Sequence, residues 1–125
     1  MSHLENSILL NMPPEIKSEM VKIYQEYERA CEKHKEWPMD FIHAAAIVGE
    51  ESGELVQAAL QHTYEDGSFD NMKKEAIQTG AVALRFLINS NGWWCWACRR
   101  QIPVNEVTPG KRHDEDQGGC GCYIR

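Results

Sequence analysis

Apolar residues recur at helical spacing in three stretches of this chain, each bounded by residues that start or stop helices. Ile16, Met20, Ile23, Tyr27 and Cys31 fall three or four apart with charge between them. With Pro13 and Pro14 before them and Glu15 in the first turn, they predict a helix over 15–35. Trp37-Pro38 breaks it, because proline disfavours helical geometry in the residue before it. Pro38 then opens a second helix over 38–62, rich in small helix formers (Ala44, Ala45, Ala46, Ala58, Ala59) that allow close packing. The stretch 64–68 reads as a loop, and Ser68 or Asp70 caps a third helix over 71–88 with Met72, Ala76, Ala83 and Leu87 as its apolar stripe. The first dozen residues carry little pattern. Beyond Gly92 the helical period stops, and Trp93-Trp94-Cys95-Trp96-Ala97-Cys98 leads into a polar run with Pro103, Pro109 and Gly110. The expected organisation is an all-α domain over 1–91 and a cysteine-rich module over 92–125.

Glu50-Glu51-Ser52-Gly53-Glu54 interrupts the apolar second helix. Glu51 and Glu54, three apart, project from one face, and His43, Ile47 and Ala58 share that stripe. Carboxylates on a face that meets other helices are costly to bury unless they are paired or bind a metal. Helix three repeats the anomaly: Glu75 and Gln78 lie on a stripe that continues to Val82 and Arg85. If the two helices form an antiparallel hairpin, both pairs converge on an oxygen-rich cage of the kind Mg²⁺ or Mn²⁺ prefers, with positions open for water and phosphate. The plainer alternative is a solvated acidic face beside nearby lysines. His43 reads as a satisfied interior histidine.

The chain has 125 residues, enough for one domain, and is 26% charged with a formal net charge of −6. That balance argues against a broad basic surface for nucleic acid, while a carboxylate-held metal can still bring a polyphosphate into an acidic site. No stretch approaches the ~20 apolar residues a bilayer requires, and the N-terminus lacks a secretory pattern, so a cytoplasmic protein is expected. Four of the five cysteines form two close pairs, Cys95-x-x-Cys98 and Cys120-x-Cys122. In a reducing compartment two such pairs suit a tetrahedral structural Zn²⁺ site, with His113 able to replace one ligand. Disulfides and unliganded thiols are the alternatives.

Glu51-x-x-Glu54 followed after a gap by Glu75-x-x-Gln78 resembles the MazG-type motif, in which the second pair is Glu-x-x-Asp. Trp37 ahead of the acidic helix, and the words His43 to Leu55 and Glu75 to Leu87, are similar to small MazG-like proteins, often phage-encoded. The resemblance spans residues 14–90. It implies a helical bundle completed by oligomerisation, as a homodimer or homotetramer. The implied activity is hydrolysis of a nucleoside triphosphate, ribo or deoxy, to monophosphate and pyrophosphate. Glu51, Glu54 and Glu75 would be ligands to Mg²⁺ or Mn²⁺, and Gln78 stands where the family has aspartate. Glu50 would act as a compensating ligand or as the base that activates water. Lys74, Arg85 or Lys73 would contact the phosphates. Trp37 would stack on the base, or plug the core.

Gln78 keeps one oxygen and loses the charge, which leaves room for a second reading: a weakened MazG-like module that binds nucleotides or docks on another protein. A zinc-ribbon nucleic-acid binder is the weakest reading, because Asp114, Glu115 and Asp116 offset Arg99, Arg100, Lys111 and Arg112.

Overall fold

The computed structural model describes residues 1–95 and 100–102. Four helices, α1 (His3–Leu10), α2 (Pro14–Lys33), α3 (Phe41–Tyr64) and α4 (Phe69–Ser90), are followed by a short antiparallel hairpin, β1 (Trp93–Cys95) and β2 (Arg100–Ile102). The all-α expectation therefore holds for the domain. No described helix is long and apolar enough to cross a membrane.

The helix ends follow from local chemistry. α1 was not expected, yet Ser2 and Glu5 form a reciprocal capping box: the Glu5 amide donates to Ser2 Oγ at 3.1 Å, and the Ser2 amide donates to Glu5 Oε2 at 2.8 Å. α2 begins at Pro14, whose missing N–H is no loss in a first turn. α3 corrects the expectation that Pro38 opens the second helix. Asp40 caps it instead, its carboxylate accepting from the Ile42 amide at 2.8 Å, so the helix starts at Phe41. Ser68 caps α4 through the Asn71 amide at 3.1 Å.

The α3–α4 turn is tight. Asp66 takes a left-handed φ of 56°, and a Cβ on Gly67 would lie 2.7 Å from the Gln61 carbonyl carbon, which reserves that position for glycine. At the other end of α4, Gly92 adopts φ 133° and turns the chain into β1. The Gln101 side-chain amide donates back to the Ile88 carbonyl, which ties the hairpin to the end of α4.

α4 is the middle helix, packed on α3 along one side and on α2 along another. Tyr27, Cys31 and Ala81 form the buried cluster between α2 and α4, with Ile23 and Leu84 against it. Gly80 lies under Ile23: a Cβ there would meet Ile23 Cδ1 at 3.1 Å and Cγ1 at 3.3 Å. Ala44 and Ala58 are the buried residues of α3, where small side chains let it approach α4 closely. His43, expected inside, is exposed, because the helix presents Ala44 rather than His43 to the core. Many large apolar residues stay exposed on the outer faces, among them Ile42, Val56 and Leu60 of α3.

Candidate metal and nucleotide site

The helical hairpin brings three of the expected carboxylates together. Glu51, Glu54 and Glu75 each offer an oxygen, and these oxygens lie within 4.8 Å of one another. The alignment rests on Thr79, one turn beyond Glu75. Its hydroxyl lies 2.8 Å from the Glu75 carbonyl and 3.1 Å from the Glu51 carbonyl. Its one proton can thus bond within α4 or across to α3, holding the helices at the level of the acids.

The electrostatics of this cluster are unfavourable without a cation. Glu51 Oε2 and Glu75 Oε2 are buried and have no hydrogen-bond partner among the described residues. Burial pushes the Glu51 carboxyl above its ordinary range, and the charges of Glu54, Glu75, Glu26 and Glu50 push it further the same way. A hard divalent cation with oxygen ligands would answer both defects, so the donor set fits Mg²⁺ or Mn²⁺. Glu50 is exposed and stands outside the three-carboxylate cluster.

A cavity of about 460 Å³ opens beside Glu51, between α2, α4 and the 34–37 segment. Glu26, Lys33, Trp37, Gln78 and Arg85 are among its walls, and its size is that of a small-molecule site. Gln78 therefore faces the space next to Glu51, as the i, i+3 spacing from Glu75 requires. A second groove of about 450 Å³ shares Glu26, Arg29 and Gln78 with the first and continues past Lys22, Lys73 and Lys74. The acids thus sit beside a cleft whose far end is basic. Lys74 is exposed there, and Lys73 Nζ lies 5.7 Å from the Phe69 ring centroid.

Arg85 and Trp37, expected to meet substrate, are first of all bound to each other. Trp37 is 5% exposed and Arg85 7%, and the guanidinium carbon lies 5.0 Å from the indole centroid. Arg85 Nη2 also donates to the His34 and Glu36 carbonyls, fastening the α2–α3 connection onto α4. Burial lowers its pKa from the ordinary guanidinium value. Only the cavity-facing surfaces of this pair remain for a ligand.

Glu26 was not anticipated. It accepts from Arg29 Nε at 2.8 Å and Nη2 at 2.5 Å, and that pairing holds its carboxyl below the usual range. It lines both cavities, and its charge acts on Glu51 across the helix gap. In the sequence it is one of many acids on a charged helix, and only the packing of α2 on α4 singles it out. Of the expected zinc ligands, Cys95 ends β1, while Cys98, Cys120, Cys122 and the alternative His113 lie outside the described residues, and the zinc site with them.

Comparison with known proteins found no matching family, no similar curated protein and no similar solved structure. The functional argument therefore stands on the residues of this site.

Proposed function

We propose that the chain is a metal-dependent nucleoside triphosphate pyrophosphohydrolase of the MazG-like kind, acting in the cytoplasm as a homo-oligomer. The observation that carries the proposal is the pair of buried, unpartnered oxygens on Glu51 and Glu75, within reach of Glu54. Like charges left together without protein partners are a cost that a bound cation removes.

In this reading Glu51, Glu54 and Glu75 hold the metal, and Gln78 adds a neutral oxygen from the cavity side. A divalent cation held there would supply charge neutralisation for the phosphates and make a water easier to deprotonate. Water attacks a phosphoryl group of the triphosphate, the anhydride bond to the leaving pyrophosphate breaks, and a cluster carboxylate takes the proton. Lys73 and Lys74 meet the phosphate chain along the basic groove. The Trp37–Arg85 end of the first cavity receives the nucleoside.

The test is pyrophosphate release from a panel of NTPs and dNTPs with Mg²⁺ or Mn²⁺, wild type against Glu54→Gln. Metal-dependent release of pyrophosphate and monophosphate is expected, reduced at least ~100-fold in the variant. One observation favours a second reading: the wall residue beside Glu51 is the uncharged Gln78 rather than an acid. Tight nucleotide binding by calorimetry without turnover would replace hydrolysis with sequestration.

A further inference from the structure

The outward face of α3 has a pattern that the acid cluster does not use. Ile42, Ala46, Gly49, Gly53, Val56 and Leu60 follow one another at intervals of four, three, four, three and four, the spacing of a helix–helix seam. All six are exposed. Ile42 is 83%, Val56 57% and Leu60 53% accessible, and a Cβ added to Gly49 or Gly53 would meet nothing within 4 Å.

The seam is also its own mirror. Counted outward from residue 51, the positions are two, five and nine away on each side: Gly49 with Gly53, Ala46 with Val56, Ile42 with Leu60. Large residues stand at both ends, smaller ones inside them, and glycines at the centre. We propose that this face is the contact between two copies of the chain, with α3 pairing antiparallel to the partner's α3 across a two-fold axis. A reversed copy of the same helix offers the same order back, so that Ile42 meets the partner's Leu60 and Ala46 meets the partner's Val56, while a parallel copy in register would set Glu50 against its own equivalent. The central glycines let the helix axes approach at the near end of the usual ~8–10 Å.

Charge and area support the same occupant. The seam carries no ionic side chain, and Glu50 on its flank falls opposite the partner's Ser52 rather than another acid. The seam runs about 27 Å along the helix at 1.5 Å per residue. Tyr64 (79% exposed) extends it by a further turn, toward the length that a specific interface of ~800 Å² per partner needs. Among the described residues nothing covers this stripe, and an apolar face of this length left to water is uncommon on a monomer. At 100° per residue, the seam lies on the side of α3 opposite Glu51. Pairing therefore leaves the acid cluster and its cavity open, and sets two such clusters back to back about the axis. The inference names the surface of the oligomer proposed above and does not depend on catalysis.

The experiment is sedimentation velocity on the full chain, with circular dichroism on each variant. Wild type is expected to be dimeric at tens of micromolar, the range of an interface this size. Val56→Glu and Ala46→Lys should each weaken the dimer about a hundredfold, as an unpaired buried charge does. Combining them should restore it, because positions 46 and 56 of opposite copies face each other in this register. If the single variants also lose helicity, recovery of both helicity and dimer in the double variant supports the pairing. A monomeric wild type, single variants that dimerise like wild type, or a double variant no tighter than the singles overturns it.

Discussion

Among the described residues charge is drawn inward at two places, and the two cases are treated in opposite ways. At the Trp37 end, Arg85 has groups of opposite character against it: two carbonyls from the 34–36 segment that accept from Nη2 and the face of an indole, with Nε left without a partner among the described residues. At the other end of the cleft, Glu51 and Glu75 share a partly buried space with Glu54, and two of their oxygens face no donor. A charge that the protein itself satisfies builds structure. Charges left with only each other keep a place for something that arrives from solution. Both lie on inward stripes of α3 and α4, so burial alone would not separate them; the partners do.

The contrast breaks most visibly at Arg85. Arg85→Met leaves the His34 and Glu36 carbonyls without their donor and uncovers Trp37, and we expect a loss of about 2–3 kcal/mol in urea unfolding. An unchanged midpoint would mean that this cation is not structural. Glu51→Gln should act with the opposite sign in metal-free protein, raising the unfolding midpoint at neutral pH. The folded Glu51 carboxyl sits above its ordinary range, so the folded state holds this proton to higher pH than the unfolded chain does. Its contribution is complete below the ordinary carboxylate value and is lost as pH rises through the raised one. Wild type in EDTA should therefore lose stability across that window while Glu51→Gln does not, and Mg²⁺ should close the gap by stabilising wild type alone. Thermal melts at a series of pH values read this directly, and a variant less stable than wild type would refute it. The smallest expected effect sharpens the comparison further. Gln78→Asp adds a carboxylate beside Glu51 and should tighten Mg²⁺ roughly tenfold by calorimetry, at some cost in metal-free stability.

Much of this was legible in the chain itself. The i, i+3 pairs Glu51/Glu54 and Glu75/Gln78 on apolar helices predict that Glu51, Glu54 and Glu75 converge once a short loop sets the two helices antiparallel. The apolar period predicts the helix spans closely, and the exception is a cap stronger than a proline: Asp40, two residues past Pro38, sets the start of α3. The Ser2/Glu5 box of α1 is readable in the chain, but the helix it starts is only eight residues long and buries none of them. What sequence could not give was which polar groups meet across helices. Glu26 looks like any surface acid until α2 is laid on α4, and Arg85 looks like a phosphate ligand until the 34–36 carbonyls fold over it. The MazG-like resemblance names a chemistry for the cluster, and assays of turnover and metal binding will decide it.

Gly80 carries a consequence for what the cleft can admit. The position holds a hydrogen where almost any other residue would place carbon, and Ile23 rests directly on it. One more methyl would oblige Ile23 of α2 to give by a few tenths of an ångström. The closeness of α2 to α4, the two helices that give walls to both cavities, thus depends on one position that carries no side chain.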